Sequence, residues 1–185
     1  MNNHLDSLYI KKVFSGDKNA FKYFINMYQE MAISIAISVV KYEADAKDVV
    51  QNAYVQAYKS LRSYKQKSKF STWFYRIVVN ESIKFLRKNK KIRSVNLSSE
   101  SDSIQLSIAN EADVQLDLID KRKEIQKAMQ LMKPKERLIL ELYYLQEYST
   151  IEIGKITGFY SSNIKVLMHR ARKSFSSLFK EIKLV

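Results

Sequence analysis

The chain has 185 residues, a mass of 21.7 kDa and a formal net charge of +13, long enough for two small hydrophobic cores and basic enough to want a polyanionic partner. Its only glycines are Gly16, Gly154 and Gly158 and its only proline is Pro134, so the tight turns of sandwiches and barrels are nearly missing and an all-α chain is expected. With no cysteine, disulfide frameworks, thiolate zinc sites and cysteine nucleophiles are excluded. The longest largely apolar run, 31–40, is too short to cross a bilayer, and the N-terminus carries no signal-peptide core. A soluble, cytoplasmic protein without membrane insertion is the expectation.

Residues 1–58 hold six basic and six acidic side chains and are neutral. Asp17, following Gly16, suits the N-cap of a helix whose apolar residues Phe21, Phe24, Ile25, Tyr28, Ala32 and Ile35 keep three-four spacing. Ile33, Ile35, Ile37 and Val39 also alternate with Ser34, Ala36 and Ser38 in the manner of a strand. No turn residue separates them from the helical pattern, so the helix is predicted to continue. A second helix is predicted from Ala44 to Leu61, with Val49, Val50, Ala53 and Ala57 inside and Asp45, Asp48, Asn52 and Gln56 on another face. The paired carboxylates lack His or Cys neighbours, so an exposed helix N-terminus stabilised by the helix dipole explains them better than metal or acid–base chemistry.

The segment 59–93 holds twelve basic residues against the single acid Glu81. Ser71 or Thr72 is predicted to cap a third helix running to about Lys88, with Phe74, Ile77, Val78 and Phe85 inward and Arg76, Asn80, Lys84, Arg87 and Lys91 in one polar stripe. Just upstream, Arg62, Tyr64, Lys65, Lys67, Lys69, Phe70, Trp73 and Tyr75 interleave cations with rings. Cations neutralise phosphates and rings stack on unpaired bases, a mixture suited to single-stranded nucleic acid. Phe74 reads as core, whereas Phe70 and Trp73 stand open between core and stacking.

Residues 94–120 contain no Lys or Arg, six acidic residues, six serines and no aromatic residue. Such a composition has little apolar surface to offset the entropy of ordering, so a linker is predicted, and its charge keeps it off phosphates. Beyond it, fourteen basic residues face six acidic ones. A helix from about Asp117 to Leu131 is followed by one opening at Pro134 and running through Leu145. Ser149-Thr150-Ile151-Glu152 is a capping box for a short helix ending at Gly158, and a last helix spans about Ser161 to Lys183. A short helix, a glycine turn and a long basic helix make a helix-turn-helix, whose second helix enters the major groove; the alternative is a helical core with a solvated basic face.

Three ordered segments resemble the extracytoplasmic-function type of bacterial sigma-70 RNA polymerase sigma factors. Asp45-Ala46-Lys47-Asp48-Val49-Val50-Gln51 resembles the acidic helix of region two, and Phe70-Ser71-Thr72-Trp73-Phe74-Tyr75-Arg76-Ile77-Val78-Val79-Asn80 the Trp-centred motif that follows it. Lys165-Val166-Leu167-Met168-His169-Arg170-Ala171-Arg172, after Ser149-Thr150-Ile151-Glu152-Ile153-Gly154, is similar to the region-four helix-turn-helix. The resemblance implies two helical domains, region two at 1–93 and region four at 118–185, joined by an acidic flexible linker at 94–117.

It further implies that Asp45, Asp48, Gln51 and Asn52 dock on the polymerase clamp helices. The loop from Arg62 to Ser71 would hold a flipped base of the melted minus-ten element. Lys65, Lys67, Lys69, Phe70, Trp73, Arg76, Asn80, Lys84, Arg87 and Lys88 would complete that contact. Ser161, Ser162, Asn163, Lys165, Val166 and His169 would read the minus-thirty-five duplex, with Arg170, Arg172 and Lys173 on phosphate. The implied partners are core polymerase, through clamp helices and flap, promoter DNA, both duplex and melted, and an anti-sigma factor; no cofactor, metal or catalytic residue is implied. The chain departs from the pattern at Lys84-Phe85, where an acidic second residue is usual, at Tyr160 for Ser, at Leu167 for Arg and at Gly154 for Ala. These changes bear on promoter sequence more than on activity class.

Two other classes compete. A stand-alone helix-turn-helix regulator would use its N-terminal half for sensing or dimerisation. A nuclease would need a catalytic constellation, yet the only histidines, His4 and His169, lie far apart in sequence and no phosphate-binding glycine loop is present.

Overall fold

The computed structural model describes residues 3–95 and 116–183, whose regular structure is entirely helical, with no strand. Helix α1 spans Asn3–Phe14. At Gly16 the backbone turns to φ 104°, and Asp17 then accepts hydrogen bonds from the N–H groups of Asn19 and Ala20 at 3.0 and 3.2 Å. That cap opens a 3₁₀ turn, Lys18–Phe21, which runs straight into α2, Lys22–Val40. The strand-like alternation is absorbed into α2: Ala32, Ile35, Ala36, Val39 and Val40 are buried, while Ile33 and Ile37 are half-buried against the same core. Three neighbouring helices cover α2, so apolar residues fall on more than one stripe.

Lys41 ends α2 in the left-handed region, its N–H bonded to the Ile37 carbonyl, and α3 follows at Glu43–Ser60. Ala46, Val49, Val50, Ala53, Tyr54 and Ala57 form its buried face. A 3₁₀ turn at Leu61–Ser63 and a loop with Gln66 at φ 54° lead to α4, Phe70–Val95. The helix begins before Ser71 and Thr72, which are buried in its first turn rather than capping it. Helices α2, α3 and α4 pack on one another around Phe24, Tyr28, Phe70, Phe74 and Tyr75. Ring centroids lie 4.3 Å apart for Phe24–Phe70 and 4.6 Å for Tyr54–Phe74. The predicted linker at 94–117 lies almost wholly outside the described residues.

The second half contains α5 (Leu116–Leu131), α6 (Pro134–Leu140), α7 (Thr150–Thr157) and α8 (Ser161–Lys183), with α5, α6 and α7 all resting on α8. Pro134 sits in the first turn of α6 as expected, but the helix does not continue evenly to Leu145: Glu141–Leu145 winds as a π-turn. The two halves are not separate bodies. Helix α6 packs on α2 and α7 on α4, and the buried apolar residues of both halves form one continuous cluster.

The seam is polar at chosen points. Arg137, 5% exposed, donates from Nε to the Ser38 carbonyl at 2.6 Å and from Nη2 to that of Val39 at 3.4 Å, while Nη1 reaches the Met129 and Gln130 carbonyls at 3.3 Å. The guanidinium thus joins the C-terminal carbonyls of α2 and α5, where helix dipoles are negative and acceptors lack partners. Ser34 donates to buried Glu141, which also accepts from Gln146 at 3.0 Å.

Candidate polymerase and nucleic-acid interfaces

Helix α3 turns its apolar residues inward, so its remaining polar residues form an outer face. Asp48, Gln51 and Asn52 are exposed and Asp45 is half-buried; Glu43 and Lys47 form an exposed ion pair at 2.7 Å beside them. Val55, 54% exposed, stands three residues after Asn52 and extends this face with an apolar contact. Sequence reasoning missed Val55, because a lone valine at this phase is indistinguishable from core until its neighbours are placed.

The cation-aromatic segment divides into buried and exposed parts. Phe70 is 1% exposed, packed on Phe24 and Tyr28, and Ser71, also 1% exposed, lies in the seam beside Tyr148. Neither side chain is open to stacking or phosphate contact in this closed arrangement. Trp73 is half-buried, its ring 5.0 Å from that of Tyr64 and 5.5 Å from that of Phe70. The Tyr64 hydroxyl donates to the Ser68 carbonyl and holds the loop. Arg62, Lys65 and Lys67 are exposed on that loop, and Arg76, Asn80, Lys84, Arg87 and Lys88 are exposed along α4. Lys84 faces Glu81 at 3.5 Å, and Lys69 faces Glu152 of α7 across the seam, also at 3.5 Å. In each pair the lysine is exposed and the glutamate half-buried, and at 3.5 Å such surface pairs contribute little to stability.

Behind the loop, Asp6 of α1 is 4% exposed and accepts from the Tyr28 hydroxyl at 2.7 and 2.8 Å and from that of Tyr23 at 3.1 Å. Burial, then the Asp6 charge, push the Tyr23 phenol up to about 12 and the Tyr28 phenol higher still, so both remain donors. Asp6 lines a cavity of about 160 Å³ together with Ser7, Ile10, Tyr64, Gln66, Ser68, Lys69 and Phe70. Nothing in the sequence pattern pointed to Asp6, whose partners lie 17 and 22 residues away.

In the helix-turn-helix, Ser149 accepts from the Glu152 N–H at 3.3 Å and Glu152 accepts from the Ser149 N–H at 3.1 Å, the predicted capping box. The Ser149 hydroxyl, chiefly, holds the Glu152 carboxyl below its usual range. Gly158 ends α7 at φ 76°. A Cβ on Gly154 would stand 3.2 Å from the Phe159 carbonyl oxygen, so glycine lets the turn close tightly. Ile164, Met168 and Ala171 anchor α8, which leaves Ser161, Ser162, Asn163, Lys165, Val166, His169, Arg170, Arg172 and Lys173 exposed. Arg172 also lies over the Tyr144 ring at 5.7 Å.

The Sigma-70 region 2 family model matches residues 24–92 and the Sigma-70, region 4 model residues 122–175. The chain is 29% identical over 182 residues to the ECF RNA polymerase sigma factor SigW of Bacillus subtilis, covering 94% of this chain and 96% of that protein. It is 37% identical over 81 residues to the ECF RNA polymerase sigma-E factor of Escherichia coli K12, covering 44% and 42% of the two chains. In fold it is similar to the sigma factor RpoE bound to the anti-sigma factor NepR from Bartonella quintana, with a TM-score of 0.72, 22% identity and coverage of 86% and 96%. It is likewise similar to CnrH bound to the cytosolic domain of CnrY, with a TM-score of 0.65, 20% identity and coverage of 96% and 99%. With both family models matching in order along one helical chain, the protein belongs to the sigma-70 family of RNA polymerase sigma factors, in its extracytoplasmic-function branch.

Proposed function

We propose that this chain works as a dissociable promoter-specificity subunit in which 1–93 docks on core polymerase and opens the minus-ten element, 94–117 tethers, and 118–185 reads the minus-thirty-five element. It directs bacterial RNA polymerase core to promoters and itself catalyses no bond chemistry. One observation carries the division of labour: three exposed faces of different chemistry occur in the order acidic-polar, cation-aromatic, duplex-reading. The α3 face, Asp45, Asp48, Gln51 and Asn52 with Val55, offers acceptors and one apolar contact to a basic protein surface. Arg62, Lys65, Lys67, Lys69 and Trp73 lead into Arg76, Asn80, Lys84, Arg87 and Lys88, a path of cations for a displaced strand. On α8, Ser161, Ser162, Asn163, Lys165, Val166 and His169 present short donors, acceptors and a methyl-contacting side chain where base edges would lie. Arg170, Arg172 and Lys173 follow as phosphate contacts. Phe70 and Ser71 support the loop from beneath.

The stretch Lys18–Val40 is long and apolar enough by composition to cross a membrane, with a mean hydropathy of 1.2, but 44% of it is buried and it packs against α3, α4 and α6. This supports a cytoplasmic location. Both fold neighbours are bound to anti-sigma factors or, for CnrH, to CnrY, and a restraining partner of that kind is proposed here as well.

The purified chain should co-elute with core polymerase and give run-off transcripts from a specific promoter set. Operator binding without polymerase, together with no core complex, would instead identify a stand-alone regulator.

A further inference from the structure

We propose that Asp6 is a specificity-determining residue: from the floor of the cavity between α1 and the loop into α4, its carboxylate accepts a hydrogen bond from the exocyclic amino group of an unpaired base. The inference rests on the reading of that loop as the holder of a melted-strand base. It adds what that reading lacks, a chemical preference for amino-bearing bases over thymine and a contribution from the N-terminal helix.

A carboxylate offers about four lone-pair sites. The hydroxyls of Tyr28 and Tyr23 bring one proton each, so half of that capacity is left, at a side chain only 4% exposed. No cation pairs with Asp6 among the described residues. Unpaired negative charge at a buried site is costly, and a donor entering the cavity would relieve it. Of the apolar side chains that line the cavity, Ile10, Tyr64 and Phe70, half-buried Tyr64 is the one open to a flat ring. Lys69 and Gln66 stand at the same cavity, so a cation is at hand for the phosphate that follows the base. Lys69, Tyr64 and Asp6 thus offer, at one cavity, partners for the phosphate, ring and amino edge of one nucleotide. Aspartate accepts from the cytosine amino group, whereas the carbonyl edge of thymine or uracil would set oxygen against oxygen.

Tying α1 to α2 is the purely structural role for Asp6, and base preference separates the two. The complex of the full chain with core polymerase is titrated into fluorescent single strands of equal length, oligo-deoxycytidine and oligo-deoxyuridine, whose bases differ in the amino or carbonyl group under test. The cytidine strand should bind about tenfold more tightly, the effect of one hydrogen bond to a charged group. Asp6→Asn keeps an acceptor for the tyrosines but turns a donor to the cavity, and should erase or reverse the preference by weakening cytidine binding and strengthening uridine binding. Equal binding of both strands by the unaltered chain, or the same tenfold preference in the variant, overturns the proposal. Should the variant not fold, oligomers of N4,N4-dimethylcytidine with the unaltered chain decide: binding should drop to the uridine level, and undiminished binding overturns the assignment. Failure to bind core or to transcribe would strike the sigma reading. Base-indifferent binding by a transcription-competent complex would strike only Asp6.

Discussion

Arg137 meets four backbone carbonyls and, among the described residues, no carboxylate, an unusual set of partners for a buried cation. Burial lowers its pKa, and the guanidinium stays satisfied because two helix C-termini converge on it. Arg137→Met fills the space but orphans these acceptors, and should destabilise the chain by about 3 kcal/mol in urea melts. Ser149 works by a different rule. Ser149→Ala removes half of the capping box and should cost about 1 kcal/mol at neutral pH. Because Glu152 has a depressed folded pKa, the stabilisation it brings is present above its unfolded value and is lost as pH falls through the lower folded one. The difference in melting temperature between wild type and Ser149→Ala should therefore shrink in acid. A difference undiminished in acid would mean that Glu152 ionisation plays no part in the box.

At the scale of elements, α8 shows how far periodicity carries. Its buried residues, Ile164, Met168 and Ala171, keep three-four spacing, and Ser162, Lys165, His169, Arg172 and Lys173 are exposed on the other side. What the period could not show is that Arg172 rests on the Tyr144 ring and so shares its cation with the protein. Lys165→Ala should change the rank order of bound promoter sequences, whereas Arg172→Ala should weaken all of them and flatten the salt dependence. Competition binding across a promoter panel at several salt concentrations would tell; uniform loss for Lys165→Ala would make it a phosphate contact. Helix α4 marks the limit in the other direction. Ser71 and Thr72 looked like caps, yet the helix starts at Phe70, because burying that ring between Phe24 and Tyr28 outweighs the local capping preference.

Across the whole molecule, the halves are closed on each other through Ser34–Glu141, Arg137 and Lys69–Glu152. A compact body of this length has a diameter of roughly 40 Å. Elements centred about 25 base pairs apart lie about 85 Å apart on duplex DNA. On the proposed reading the closed form cannot engage both, so the seam must open. Fully extended, twenty residues reach about 70 Å, short of 85 Å, so the two folded halves must span the remainder. The absence of native cysteine makes this testable: a Ser34→Cys, Glu141→Cys pair should, when oxidised, abolish promoter-specific transcription, and reductant should restore it. Full activity in the oxidised protein would show that opening is not required.

Sequence by itself determined every helix except α1, together with the capping box, the glycine turn and the alternation of neutral, basic and acidic zones, because each depends on residues within a few positions of one another. Tertiary structure alone decided which faces remain available. Phe70 became wall rather than stacking platform, Val55 joined the docking face, and Asp6 reached a cavity built by a loop about sixty residues away. The reason is physical: a period records that a face is apolar or polar, whereas accessibility depends on what another element, distant in the chain, packs against it.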